Sequence, residues 1–199
     1  MQKLFIFLLI PISFLACNNS DPGKTVDDKT ALQPSKHSAG FNQSIQSAMN
    51  SYYDLTEAFV NWDSVKASSL AATLNAKLDS LPLNELKNNA STLKADSLIG
   101  NAKKDLAGMI AANDITTKRH ALNAFSDHFF EFLNTVQYDR QKLYLQECPM
   151  AFNDTEPGHW LSAQDSIRNP YMGLHHPYYK SGMIECGENK AVVNFTETK

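Results

Sequence analysis

Apolar residues recur at helical spacing along four stretches of the chain. Residues 41–59, 67–81 and 115–136 each place their apolar side chains on one face, as an amphipathic helix with about 100° of rotation per residue does. A further stretch, 83–112, holds two apolar phases that meet near "ADSLIGNA", which predicts a helix with a break at that point. Four such helices with short connections predict an up-and-down bundle over residues 41–138.

Polar residues and one proline mark where these helices should begin or end. Asp63 or Ser64 precedes the second stretch, and Asp114 precedes the last. At such positions a side-chain oxygen can accept a hydrogen bond from a free backbone N–H group. Pro82 follows the second stretch. Because proline removes a backbone donor and clashes with the preceding turn, we expect the second helix to end before it.

Helical periodicity stops at residue 139. From there to residue 199 the chain is dense in Pro, Gly, Asn, Trp and Tyr, and "KLYLQ" and "KAVVNF" have the composition of short strands. A segment with so few aliphatic residues must pack on the bundle or be cross-linked. The predicted fold class is therefore mainly α. It consists of a four-helix up-and-down bundle and a loop-rich C-terminal Cys/Met/His module with short strands, which together form one domain over residues 41–199.

The composition excludes several classes of function. The chain has 199 residues, of which 43% are hydrophobic and 20% charged, and its formal net charge is −3. No stripe of Lys and Arg interleaves with aromatic residues, so no nucleic-acid partner is expected. No P-loop, HExxH, GxSxG or dinucleotide-binding glycine motif occurs in the sequence. We therefore expect no enzymatic activity.

The beginning of the chain predicts export and a lipid anchor. Residues 1–17 contain one Lys, an apolar run too short to span a bilayer, and "FLA" directly before Cys17, as in a signal peptide. This arrangement resembles a bacterial lipoprotein signal, which implies cleavage before Cys17 and acylation of its thiol; an ordinary secretory signal is the alternative. Residues 18–40 are polar and rich in Gly, Pro, Ser and Asp, and they predict a flexible tether. The expected location is the cell envelope, facing the periplasm or the cell surface, with the lipid as the only membrane attachment.

Four sulfur atoms in the C-terminal module could converge. Cys148 and Met150 flank Pro149, and in an extended segment such residues point to the same face. Met183 and Cys186 are three residues apart, which places them on one face of a helical turn. Thiolate and thioether donors are soft and favour Cu(I). The same module holds further candidate ligands at Met172, His159, His175 and His176.

A disulfide is the competing interpretation of the two cysteines. If Cys17 is acylated, Cys148 and Cys186 are the remaining pair, and disulfides persist in an oxidising envelope compartment. The bond would close a loop of roughly 38 residues and stabilise the module by on the order of 4 kcal/mol in the chain-entropy treatment. The residues alone leave both the metal site and the disulfide open, and exchange between the two states is a third possibility.

The pattern "CPMAFND…HWLS…IRNPYMG…GMIECGE", together with the upstream "RHALNAFSDHFFEFL", resembles an uncharacterised bacterial envelope domain. That domain occurs in lipoproteins and is also fused to periplasmic adaptor subunits of heavy-metal efflux pumps. The resemblance covers residues 45–188. It implies a helical bundle with a heavy-metal-associated module, and a periplasmic adaptor or another efflux component as a partner.

The resemblance also assigns roles to residues. It implies that the ligands are Cys148, Met150, Met183 and Cys186, and that the structural frame consists of Trp160, Asn169, Pro170, Tyr171 and Gly173. The chain departs from the pattern at two places. Met172 stands where an aromatic residue is usual, and "LHHPYYKS", residues 174–181, lengthens the loop before Met183.

Replacing the predicted lipidation site should release the protein from membranes. The acyl chains on Cys17 are the only membrane attachment that the sequence predicts, so Cys17→Ser is expected to move the protein from the membrane to the soluble envelope fraction. Cys186→Ser removes a different thiol and should stay in the membrane fraction. Fractionation followed by immunoblotting measures both, and a Cys17→Ser protein that remains in the membrane would contradict lipidation.

Overall fold

Four helices and a three-stranded sheet make up the part of the chain that the computed structural model describes, residues 34–86 and 89–197. The helices are α1 (Ala39–Val60), α2 (Ser64–Asp79), α3 (Asn89–Ala111) and α4 (Ile115–Val136), with a short 3-10 turn at Leu83–Glu85. Within these residues no helix has the length and apolar content needed to cross a membrane. The predicted signal peptide, Cys17 and residues 18–33 of the predicted tether lie outside the described residues.

The predicted apolar stripes form the core of the bundle. α1 and α4 contribute most of the largest fully buried side chains, which are Phe41, Ile45, Met49, Tyr52, Leu55, Phe59, Phe125, Phe129 and Phe132. Both predicted capping residues are confirmed, since Asp63 accepts from the Lys66 N–H at 2.9 Å and Asp114 accepts from the Thr117 N–H at 2.8 Å. Helical periodicity and capping therefore predicted three of the four helices correctly.

The break predicted near "ADSLIGNA" is wrong, because α3 runs without interruption through that segment. Its buried face is spaced alternately by four and three residues, at Ala95, Ile99, Ala102, Leu106 and Met109. Leu93, which suggested a second apolar face, is 71% exposed. Ala95 and Ala102 occupy core-facing positions on the single buried face. The second apolar face was predicted because the exposed Leu93 was counted as a core residue.

Helix α1 begins at Ala39, inside the range predicted as tether. Ser38 caps it by accepting a hydrogen bond from the Phe41 N–H at 3.0 Å. The residues just before the helix contact the chain that follows α4. The Ser35 hydroxyl and the Lys36 N–H donate to the carboxylate of Asp139 at 2.7 and 2.8 Å.

The C-terminal module is built on an antiparallel sheet with strand order β2-β1-β3. The strands are β1 (Leu143–Phe152), β2 (Glu156–Ser162) and β3 (Glu188–Val193). The two predicted strands correspond to β1 and β3, whereas β2 was not predicted. It contains an exposed Pro157, which lowers strand propensity but is tolerated on an edge strand because the missing N–H faces away from the ladder.

The sheet contacts the bundle and the segment 163–187 in different ways. The edge strand β2 packs on α4, and the backbone N–H of Leu161, at the outer edge of β2, donates to the hydroxyl of Tyr52 in α1 at 2.9 Å. The segment 163–187 lies over a face of the sheet, where the fully buried side chain of Gln146 holds it through its amide group. That group donates to the backbone oxygens of residues 164 and 166 at 3.1 and 3.2 Å. The central strand β1 is therefore enclosed between the bundle and the segment 163–187.

Gly173 should be required for stability at the point where the segment 163–187 contacts the end of α1. Its φ is +55°, and a Cβ atom would lie 2.6 Å from the carbonyl oxygen of Val60. Gly173→Ala is expected to lower the free energy of unfolding by about 2–4 kcal/mol, because the left-handed backbone and the close approach both penalise a side chain. The control Gly108→Ala, in open space on α3, should be neutral or stabilising by up to about 1 kcal/mol. Urea unfolding measures both, and equal stability of the two variants would contradict this account.

Candidate functional site

The two cysteines of the C-terminal module lie next to each other as free thiols. The Sγ atoms of Cys148 and Cys186 are 3.9 Å apart. Cys148 belongs to the central strand β1 and is fully buried, whereas Cys186 lies at the end of the covering segment and is partly exposed. The pair therefore joins the sheet to its cover and is accessible from the Cys186 side.

Asn169 holds the segment that carries Cys186. Its side-chain amide donates to the carbonyl oxygen of Cys186 at 2.6 Å, and its backbone N–H donates to the carbonyl oxygen of Ile184 at 2.8 Å. Gly187 then allows the chain to pass close to β1, since a Cβ atom there would lie 2.7 Å from the carbonyl oxygen of Glu147. The position of the second thiol is thus fixed from both sides.

The residues predicted as a structural frame pack together around Asn169. Its Oδ1 atom accepts from the N–H groups of Tyr171 and Met172 at 2.7 and 3.0 Å. The Tyr171 hydroxyl donates to the carbonyl oxygen of His159 at 2.5 Å, and the ring of Trp160 meets the Tyr171 ring edge-on at 6.0 Å. All of the frame residues are buried, namely Trp160, Asn169, Pro170, Tyr171 and Gly173.

Burial sets the protonation state of the partly exposed thiol. It raises the pKa of Cys186 to about 11, and the neighbouring Cys148 adds to this shift because two thiolates would repel each other. At neutral pH Cys186 is therefore protonated. A metal ion that binds to it must displace the proton, so binding would become tighter as the pH rises.

The two candidate thioether ligands lie in different surroundings. Met183 is in the same turn as Cys186, whose N–H donates to the Met183 carbonyl oxygen at 3.0 Å. Met150 lies in an irregular part of β1. Between the pairs Cys148–Gly158 and Phe152–Glu156, β1 advances by four residues while β2 advances by two. This bulge interrupts the alternation that predicted a shared face with Cys148. Met150 lines a cavity of about 220 Å³ together with Met172 and His176.

The structure does not place the candidate histidine ligands with the thiols. Both ring nitrogens of His159 face carboxylates, with Nδ1 2.8 Å from Asp127 and Nε2 2.9 Å from Glu147. His175 is exposed, and His176 is buried beside the cavity. Across residues 34–86 and 89–197, no three side chains of His, Cys, Asp or Glu are grouped so that they could hold a metal ion. Any ligand of a metal at the thiol pair beyond the two cysteines would therefore be a thioether or an exogenous group.

The sequence-based prediction missed Arg119 in α4. Its side chain is only 6% exposed, and its guanidinium lies over the rings of Trp62, Phe152 and Tyr171 at 5.2 to 5.9 Å. It donates to the carbonyl oxygen of Ala151 at 2.7 Å, next to Met150. The available signal was its spacing of three residues from the buried Leu122, which places a charged residue on the apolar face of α4.

The comparisons with known proteins bear on the bundle rather than on the thiol pair. Residues 48–141 match a family described as a protein of unknown function (DUF3347). The matched range runs from α1 to just before β1, so it contains Arg119 but neither Cys148 nor Cys186. No curated protein and no solved structure matches the chain.

His159 should make the stability of the protein depend on pH. Its hydrogen bond to Asp127, followed by the one to Glu147, raises its pKa above the ordinary value of 6.5. The stabilisation is therefore complete below pH 6.5 and is lost as the pH rises through the higher folded-state pKa. Between about pH 6 and about pH 9, the wild type should lose more unfolding free energy than His159→Gln does, as followed by urea titration. The exposed His175→Gln control should behave like the wild type, and an unchanged profile for His159→Gln would contradict the expectation.

Proposed function

We propose that the protein binds a soft metal ion, most favourably Cu(I), between Cys148 and Cys186. The observation that carries the proposal is the 3.9 Å separation of the two free thiols. Metal–thiolate bonds of about 2.3 Å, as for zinc, put two sulfurs roughly 3.8 Å apart at a tetrahedral angle and roughly 4.6 Å apart in a line. The observed separation lies within that range, so the pair could take up an ion with little movement of the backbone.

The chemistry of the available donors favours a soft ion. Two thiols are brought together without a third Cys, His, Asp or Glu in the described residues, which is a poor match to the four nitrogen and sulfur ligands of structural zinc. Met183, in the same turn as Cys186, supplies one candidate thioether, and Met150, two residues after Cys148, supplies a second. Thiolate and thioether donors together select Cu(I).

The cellular role in this proposal comes from the sequence. The lipoprotein-like beginning of the chain supports an envelope protein held by a lipid at Cys17. The resemblance of "CPMAFND…GMIECGE" to a domain fused to efflux adaptors supports a role in copper efflux or homeostasis. In this role the protein captures the ion or transfers it to a periplasmic adaptor or a related efflux component.

The competing function is that of an interaction module in which Cys148 and Cys186 form a structural disulfide. The closeness of the two thiols would also permit this bond. The two alternatives differ in the oxidation state of the cysteines in the cell and in whether the reduced protein takes up metal. Both can be measured in a Cys17→Ser background, which leaves only these two thiols in the chain.

The reduced Cys17→Ser protein is expected to bind one Cu(I) per chain in competition with a Cu(I) chelator. Cys148→Ser and Cys186→Ser should each weaken binding by at least about 100-fold, because each removes one of two anionic donors. Met150→Leu and Met183→Leu should weaken it less, with a change in stability below about 1.5 kcal/mol. The same exchange at the buried Met109 in α3 is the matched control and should leave Cu(I) binding unchanged.

Two results would overturn the metal proposal in favour of the disulfide. The first is that thiol trapping in cells finds both cysteines oxidised while the reduced protein takes up no Cu(I). The second is that Cys148→Ser lowers the melting temperature strongly while neither methionine variant changes copper affinity. Trp160→Ala controls for indirect effects, since the loss of this buried ring should destabilise the module by about 3–5 kcal/mol and reduce copper binding only through unfolding.

A further inference from the structure

A buried positive charge faces a cavity next to the thiol-bearing strand. Arg119 is 6% exposed, and no carboxylate among the described residues forms an ion pair with it. Burial lowers the pKa of Arg119, and only Tyr171 and Cys148, which are both uncharged in their protonated forms, oppose the shift. A buried guanidinium without a carboxylate is unusual because removing a charge from water is costly.

The guanidinium is only partly hydrogen-bonded. Nη2 donates to the carbonyl oxygen of Ala151, whereas Nε is enclosed by protein and has no hydrogen-bond partner in the described part of the chain. Because the Arg119 side chain lines the 220 Å³ cavity, an anion bound there would interact with the uncompensated charge of the guanidinium.

His176 provides a second donor at the same cavity. Its Nδ1 atom accepts from the N–H groups of Tyr178 and Tyr179 at 3.2 and 3.3 Å. Because Nδ1 accepts these two hydrogen bonds, it carries no proton, and the ring proton lies on Nε2. The free Nε2–H group can therefore donate to the same acceptor as Arg119.

The remaining walls of the cavity limit the kind of anion. Met150, Met172 and Phe152 form an apolar part, and Asp154 lies at the same cavity, where it accepts from the Tyr179 hydroxyl at 3.0 Å. One positive and one negative side chain disfavour a doubly charged anion such as phosphate. The apolar walls instead suit a short hydrocarbon part.

We infer that this cavity binds a small monocarboxylate. Its carboxylate pairs with the Arg119 guanidinium and accepts a hydrogen bond from His176 Nε2, and its hydrocarbon part packs against Met150, Met172 and Phe152. The site shares Met150 with the proposed copper site but contains neither thiol, and its occupation does not require a metal. Because Met150 lies two residues after Cys148, an occupant would contact the same irregular part of β1.

The alternative is that Arg119 is purely structural, with the three aromatic rings offsetting its desolvation. The two interpretations differ in what the metal-free, reduced protein binds. The probe is butanoate, and the matched neutral probe is butanamide, which has the same hydrocarbon part without the charge. Binding is followed by NMR of methionine methyl groups, where Met150 and Met172 report on the cavity and Met109 reports on the bundle core.

Butanoate is expected to shift the Met150 and Met172 signals saturably, with a dissociation constant in the millimolar range that suits so small a ligand. Butanamide and inorganic phosphate should bind at least about tenfold more weakly, since a charge-assisted hydrogen bond is lost or a second charge is added. Equal binding of butanoate and butanamide, tighter binding of phosphate, or no saturable shift with butanoate would each overturn the inference.

Variants assign the binding to the two donors. Arg119→Met should weaken butanoate binding by at least about tenfold and His176→Leu by a smaller factor. Arg168→Met removes an equal charge from the exposed Arg168–Glu57 pair and should have no effect. Unchanged binding in a folded Arg119→Met protein would refute the assignment. If that variant does not fold, the comparison of butanoate with butanamide in the wild type still decides the question.

Discussion

The hydroxyl of Tyr52 is the junction on which the arrangement of bundle and sheet depends. It lies in the fully buried core, 2.8 Å from the Ser126 hydroxyl of α4, and accepts from the Leu161 N–H of β2. Because the Ser126 hydroxyl donates to the carbonyl oxygen of Leu122, Tyr52 must donate to Ser126. A single buried group thus links α1, α4 and β2 with each hydrogen-bonding role assigned, and burial raises its pKa so that the proton stays in place.

This junction has consequences for the thiol pair. It fixes β2 on the bundle, and β2 in turn aligns β1 through the pairing that ends regularly at Cys148 and Gly158. The segment 163–187 then closes over a face of the sheet and brings Cys186 to Cys148. The distance between the thiols is therefore the result of packing the sheet on the bundle and packing this segment on the sheet.

The end of β1 lies between two sites of opposite chemical character. The thiol pair offers soft donors for a cation, whereas the cavity beside Met150 offers the donors of Arg119 and His176 for an anion. The positive charge of Arg119 would oppose a metal ion within that cavity. Met150 is the residue that the two proposed sites share.

The sequence by itself determined the local features of this protein. Core-facing spacing predicted α1, α2 and α4, and Asp63 and Asp114 were recognised as caps, because helical hydrogen bonds and caps join residues close in sequence. Because Cys17 was assigned to acylation, Cys148 and Cys186 were expected as a pair from the cysteine count alone. Only the tertiary structure decided the rest. It formed β2 in spite of Pro157, interrupted the alternation at Met150, placed His159 between two carboxylates and buried Arg119 among three rings. These outcomes depend on partners that are distant in the chain, and residue spacing carries no information about such partners.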